Sequence, residues 1–369
     1  MLIKDIYSEN FYQRLAASLA KVIPHFDTRK FMVAILPPSF ANMEWKERMY
    51  HTTEILHQFM PISFAESALL MKKIVPKLKQ DGFNGGLEFM FLPEYIAKYG
   101  LDDFENAVEA LEFLTQFISA EFAVRPFLLK YGDRIIAEMV RMSLHENHHV
   151  RRFASEGSRP RLPWGAAIPA LKLDPSAIIP ILENLKNDPS EYVRRSVANS
   201  LNDITKDNSS VVLSLAKKWK GLSKETDAII KHACRSLLKN GNPDVLDFYG
   251  LNAGKLEVSE LMIATPIVSI GEYVDFSFYI HNADTFPRYV RLEYKLYYVK
   301  NNGSLAGKVF KISERLFQPN EKCLIKRKQS FKIITTRVFY PGNHELAIVV
   351  NGEEKARASF ELVKGNQAL

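Results

Sequence analysis

Only two of the 369 residues are cysteine, Cys234 and Cys323, and they form no CxxC pair and no Cys/His ligand spacing. A disulfide framework and a structural zinc site are therefore not expected. No apolar run approaches the length of about eighteen residues that suggests a membrane span. The start, MLIKDIYSENFYQ, has neither the basic segment nor the apolar stretch of a secretory leader, so a cytoplasmic protein without a membrane partner is expected. Also missing are GxxxxGK[ST], a GxGxxG after a strand, GxSxG and HExxH, which removes the signatures of the common nucleotide-binding, hydrolase and zinc-protease classes. The run HENHH (145–149) sets His148 directly beside His149 and reads as a polar turn. Neither a metal nor a cofactor is expected.

What is present is a chain of 47% hydrophobic and 25% charged residues, long enough for two domains. Its net charge of +7 is unevenly distributed. Residues 1–149 carry 16 basic and 19 acidic side chains, residues 150–253 carry 16 and 11, and residues 254–369 carry 17 and 12. A basic excess in the later segments suits a polyanionic partner, although ordinary solubility charge gives the same count.

Apolar residues recur at helical spacing as far as about Gly250, as in Phe11, Leu15, Leu19 and Val22. Breakers at Pro37-Pro38, Pro61, Gly82–Gly86, Gly100, Gly132, Gly157–Gly165, Pro189 and Gly241 divide this part into short helices. VRRFASE (150–156) aligns with VRRSVAN (193–199) at a separation of 43 residues. Helix-pair repeats of about 40–47 residues mark HEAT-type solenoids. After Leu251 the pattern changes to alternating, β-branched and aromatic segments, 273–282, 290–300, 330–339, 344–352 and 355–363, bounded by Asn, Gly and Pro. The expected architecture is multidomain: an all-α HEAT-like solenoid over 1–250, followed by an all-β immunoglobulin-like sandwich over 255–365.

The densest cluster of chemistry is VRRFASEGSRPRLPWG (150–165), with four arginines, Glu156 and Trp164 ahead of and within a Pro/Gly-rich loop. Arg152/Glu156 and Arg195/Asn199 are i,i+4 pairs at equivalent repeat positions, and Asp203 continues the second stripe. Glu156 and Asp203 then face one groove from neighbouring helices. An isolated surface ion pair is the simpler account of Arg152–Glu156, but it explains neither the stiff loop nor the tryptophan. A second cluster, AEFAVRPFL (120–128), spaces Glu121 and Arg125 as i,i+4, and Pro126 requires a kink or a helix start there.

These motifs, AEFAVRPFL, VRRFASEGSRPRLPWG and VRRSVANSLNDI (193–204), resemble the AlkC branch of the DNA alkylation-repair glycosylases, a HEAT-like superfamily shared with AlkD. The likeness spans residues 1–250, and some members of the branch carry a C-terminal immunoglobulin-like domain. The resemblance implies a monofunctional DNA glycosylase that hydrolyses the N-glycosidic bond of cationic bases such as 3-methyladenine and 3-methylcytosine. A monomer acting on double-stranded DNA is expected, and the resemblance implies that the lesion is not drawn into a deep pocket. Carried over by motif are Glu121, Glu156 and Trp164, with Asp203 added on repeat geometry. Carboxylates suit the sugar cation that develops as the bond breaks, and Trp164 suits a cationic base. Arg152, Arg159, Arg161, Arg194, Arg195, Lys217, Lys218, Lys231 and Arg235 are the expected DNA contacts, with Lys326, Arg327 and Lys328 added from the β domain. The alternative class is a non-catalytic HEAT adaptor for nucleic acid or protein, since solenoids most often serve as scaffolds.

Overall fold

The computed structural model describes residues 2–334 and 337–365. Helical periodicity produces α1 (Glu9–Leu19), α2 (Thr28–Ile35), α3 (Trp45–His57), α4 (Phe64–Gln80), α5 (Phe91–Tyr99), α6 (Phe104–Leu114) and α7 (Arg125–Tyr131). Beyond Gly132 follow α8 (Asp133–Met142), α9 (His148–Gly157), α10 (Pro169–Leu173), α11 (Ile179–Leu185), α12 (Glu191–Ile204), α13 (Ser209–Trp219) and α14 (Lys224–Ala233). These helices make up the first of two compact units, Met1–Ala233 and Cys234–Leu369.

The 43-residue repeat has a physical counterpart. α9, α12 and α14 pack side by side. Equivalent apolar positions, Val150 with Val193 and Ala154 with Val197, are all buried, each large aliphatic side chain contributing about 1.5–3 kcal/mol. Polar pairs fix the helix register. Ser155 Oγ bonds to Ser196 Oγ at 2.7 Å between α9 and α12, and Asn202 Nδ2 donates to the Ala233 carbonyl at 2.7 Å between α12 and α14. The first arginine of each VRR triplet clamps the turn before its own helix. Arg151 Nη1 donates to the carbonyls of His145 and Glu146 at 2.9 and 2.7 Å, and Arg194 Nη1 donates to those of Asp188 and Pro189 at 2.7 and 2.9 Å.

The second unit opens with α15 (Arg235–Lys239) and α16 (Pro243–Phe248), so the compact division falls ahead of the change in composition near Gly250. Its strands are β1 (Leu256–Ile263), β2 (Ile267–Ser269), β3 (Tyr273–Asn282), β4 (Arg288–Val299), β5 (Leu305–Phe317), β6 (Lys322–Ser330), β7 (Gly342–Val350) and β8 (Glu353–Val363). They form a three-stranded sheet, β1-β3-β6, and a five-stranded sheet, β2-β8-β7-β4-β5. Alternation decides which residues face inward. Val274, Phe276, Phe278 and Ile280 of β3 meet Val290, Leu292 and Leu296 of β4 and Leu346, Ile348 and Val350 of β7 in one core. One expected strand is corrected. Pairing with β3 ends at Ser330, and beyond it lies irregular chain with a single bridge, Ile334 to Arg337; residues 335–336 lie outside the described residues.

Candidate active site

Glu156 sits near the C-terminal end of α9, whose N-terminus is capped by Asn147 Oδ1 accepting from the His149 N–H at 2.9 Å. The helix stops where Gly157 packs so closely that a Cβ there would lie 2.8 Å from Val124 Cγ1 and 2.9 Å from Met139 Cε. The loop that follows is held from below by Arg125, which is only 2% exposed. Its Nη1 donates to the Gly157 and Arg159 carbonyls at 2.7 and 2.6 Å, and its Nε and Nη2 donate to the Ala166 carbonyl at 2.8 and 2.5 Å. Burial, with Arg159 nearby, pushes the Arg125 guanidinium down to about 10. The expected Glu121–Arg125 pair is thereby corrected. α7 begins only at Arg125, with Pro126 in its first turn, so Glu121 lies in the preceding turn and the i,i+4 geometry never forms.

Glu121 instead meets Arg152, its Oε2 3.1 Å from Nη1, and Ser119 Oγ bonds to both side chains. Arg152 Nη2 lies 3.7 Å from Glu156 Oε1. The same oxygen accepts from Arg159 Nη1 at 2.6 Å, while Arg159 Nε donates to Asp203 Oδ2 at 2.8 Å. Lys206 Nζ completes the series, 2.9 Å from Asp203 Oδ1. The result is an alternating chain of six charges, Glu121, Arg152, Glu156, Arg159, Asp203 and Lys206, strung from the turn before α7 across α9 and its loop to α12 and the turn that follows it. Glu156, Arg159 and Asp203 are buried. Burial opposes the Arg159 charge, but Asp203 and Glu156 outweigh it and leave the guanidinium above its ordinary value.

The structure therefore brings together the three carboxylates selected from sequence. It corrects Arg159, expected on the loop toward phosphate: its side chain turns inward because two buried carboxylates flank it, and a charge removed from water needs a partner. Trp164 takes the opposite course. It is 81% exposed, and its φ of 65° lies in the left-handed region that L-residues rarely adopt. Two residues here were not selected from sequence. Ser119 links Glu121 to Arg152, and the Tyr192 ring lies 5.0 Å from the Arg152 guanidinium. The repeat offered a signal for Tyr192, which occupies the position of His149 one repeat later and packs against it.

The remaining cations divide by role. Arg161 pairs with Asp207 through Nε and Nη2 at 2.9 and 2.6 Å. Arg194, an expected DNA contact, has its Nη1 engaged by turn carbonyls. Arg195 is exposed and pairs with Glu191 at 2.7 Å, and Lys218 pairs with Glu183 at 2.8 Å. Lys217 and Lys231 are exposed on α13 and α14. Arg235, expected on a later repeat, belongs to the second unit. Lys326, Arg327 and Lys328 are exposed on β6, at the edge of the three-stranded sheet. Among the described residues, no group of three or more His, Cys, Asp or Glu side chains is disposed to hold a metal, and no helix is long and apolar enough to cross a membrane.

A HEAT-like helical unit bearing a buried carboxylate–arginine chain, joined in sequence to an immunoglobulin-like sandwich, defines a narrow class of proteins. Residues 178–207 match the HEAT repeat family. Residues 257–364 match the family described as "Uncharacterised protein YhaZ, C-terminal Ig-like domain". The solved alkylpurine DNA glycosylase AlkC of Pseudomonas fluorescens, bound to DNA containing an abasic site analog, superposes with a TM-score of 0.92 at 38% identity, covering 98% of this chain and 100% of that one. The Bacillus subtilis (strain 168) protein "Uncharacterized protein YhaZ" is 41% identical over 98% of this chain and 99% of its own length. The chain belongs to the AlkC family.

Proposed function

We propose that this chain is a DNA glycosylase of alkylation repair that hydrolyses the N-glycosidic bond of cationic bases such as 3-methyladenine and 3-methylcytosine. The observation that carries this reading is the chain Glu121–Arg152–Glu156–Arg159–Asp203, which assembles three carboxylates, one of which, Glu121, shares a cavity wall with the exposed, strained Trp164. An N3-alkylated purine is already positively charged and leaves without protonation, so the enzyme's task is to stabilise the cation developing on the deoxyribose. The ion pairs of Glu156 with Arg152 and Arg159 fall on Oε1, and Oε2 is the oxygen proposed to orient and deprotonate the attacking water. Glu121 and Asp203 add negative potential from either side. Trp164 supplies an aromatic face for the cationic base or the sugar. Its position on a loop clamped by Arg125 fixes that face in advance of binding, which lowers the ordering cost.

Double-stranded DNA is the proposed partner. Arg195, Lys217 and Lys231 are the exposed candidates for phosphate contacts on the helical unit, and Lys326, Arg327 and Lys328 on the β domain. The lysine of the chain, Lys206, is held by Asp203 at 2.9 Å, at the end of the chain away from Glu121, and is not offered as a nucleophile, so the reaction is proposed to end at an abasic site without strand cleavage. The test is Glu156→Gln. The variant is expected to fold and to bind abasic DNA, yet to release methylated base from alkylated DNA at least about a hundredfold more slowly. Unchanged release sinks the assignment, and binding without release by the unmodified protein favours a non-catalytic adaptor.

A further inference from the structure

Tyr192 stands in the first turn of α12, outside the ion chain, and its ring lies 5.0 Å from the Arg152 guanidinium. It is 43% exposed, so core packing does not account for a side chain of this size here. An aromatic ring attracts a guanidinium by cation–π contact, and because the cation is planar the contact orients it as well as holding it.

Arg152 needs such a constraint. Its Nη1 meets Ser119 Oγ and, at 3.1 Å, Glu121 Oε2, both in the chain before α7. Its Nη2 stops 3.7 Å from Glu156 Oε1, beyond hydrogen-bond reach, and that oxygen already accepts from Arg159 Nη1 at 2.6 Å. The close polar contacts of Arg152 therefore draw it toward Glu121. A guanidinium that closed on Glu156 would engage the carboxylate assigned to the attacking water, and one that swung away would leave two carboxylates without the cation between them. Excision slows in either case.

The ring is itself braced by the preceding repeat. His149 and His148 of α9 make edge contacts with it, at centroid distances of 5.9 and 6.4 Å. Burial, with His148, Arg152 and Lys79 nearby, holds the His149 imidazole below its ordinary value. At neutral pH it is thus an uncharged neighbour and not a rival to Arg152 for the ring.

We propose that Tyr192 is a positioning residue for excision, its ring holding Arg152 at the separation from Glu121 and Glu156 that keeps Glu156 available to water. The inference rests on the glycosylase reading. Tyr192 acts through Arg152 and not on the DNA.

The test is single-turnover release of 3-methyladenine from alkylated double-stranded DNA by the full chain, with abasic-DNA affinity and thermal midpoint measured on the same preparations. Tyr192→Leu removes the ring from a half-exposed position and is expected to excise about tenfold more slowly. Its affinity is expected to stay within about twofold and its midpoint within about 2 °C. Tyr192→Phe keeps the ring and is expected to recover most of the rate. In an Arg152→Gln background, Tyr192→Leu is expected to cost nothing further, because a contact already lost cannot be lost again. A tenfold loss that persists in that background places Tyr192 on the substrate and overturns the proposal. So do equal losses in Tyr192→Leu and Tyr192→Phe, full excision by Tyr192→Leu, or a loss matched by weaker DNA binding or a lower midpoint. Each of these leaves the glycosylase reading standing, which fails instead when the unmodified protein releases no base.

Discussion

Replacing Arg159 with methionine removes the central cation of the chain while keeping a side chain of similar length. Glu156 and Asp203 retain 9% and 4% side-chain exposure and lose contacts of 2.6 and 2.8 Å. Breaking a buried ion pair from one side costs about 3–5 kcal/mol, chiefly because the remaining charge is stranded. Two partners survive, Arg152 at 3.7 Å from Glu156 and Lys206 at 2.9 Å from Asp203, which places the expected loss at the lower end, about 3 kcal/mol. At about 2–4 °C per kcal/mol for a unit of this size, the midpoint of the helical unit falls by about 6–12 °C. Thermal unfolding followed by circular dichroism measures the loss. Adding Glu156→Gln and Asp203→Asn to Arg159→Met is expected to recover most of the loss, since neutral partners leave no charge to strand. A midpoint shift under about 2 °C, or no recovery when the two carboxylates are also neutralised, refutes the reasoning.

Trp164→Gly is expected to leave thermal stability unchanged or raise it by about 1 kcal/mol, because glycine accepts the positive φ that tryptophan adopts under strain. Excision, measured on the same preparation, is expected to fall; a lower midpoint with full activity contradicts both halves of the expectation. For Glu94 the folded carboxyl titrates at about 7 against an ordinary value of 4.5. Its stabilising contribution is fully present below about pH 4.5, declines as pH rises to about 7, and is constant above. Discounted for the solvent that still reaches this side chain, the decline is about 1–2 kcal/mol. The difference in urea midpoint between the unmodified protein and Glu94→Gln, followed across that range, isolates it; a difference that stays constant with pH removes Glu94 as the cause.

The sequence carried the local information well and the convergent information poorly. The two VRR triplets at a spacing of 43 residues set α9 beside α12, because a repeat that buries the same face twice has to stack. The alternation in 273–282 is β3 to the residue, since each inward side chain faces the same core. What failed was any contact decided by where the backbone stops being regular. Glu121 and Arg125 have helical spacing, but their helix starts one turn too late for them to meet. Arg159 reads from sequence as a loop residue directed toward phosphate, whereas its direction is set by Asp203, 44 positions away. The segment 330–339 has the composition of a strand, but its described residues beyond Ser330 make only local backbone bonds, Phe331 with Gly271 and Glu272 and Ile334 with Arg337. Glu94 had no signal, because a glutamate near the start of a helix reveals nothing of the cavity wall it shares with α3 and the turn before α7.

Arginine content alone is a poor measure of a DNA footprint in this fold. Residues 150–253 carry five more basic than acidic side chains, and each cation that neutralises a phosphate adds about 0.9 to the slope of log affinity against log salt. Yet Arg151 and Arg194 satisfy turn carbonyls, Arg152 and Arg159 are interleaved with the site carboxylates, and Arg161 is matched by Asp207. A cation already held by a carboxylate or a turn exchanges that partner for a phosphate at a cost that an exposed lysine does not meet. The cations crowded around Glu156 therefore hold three carboxylates together in a buried position. On the glycosylase reading, the salt dependence of DNA binding is expected from exposed side chains outside the ion chain, such as Lys217, Lys326 and Arg327, whereas Lys328 is itself paired with Asp275 at 3.2 Å.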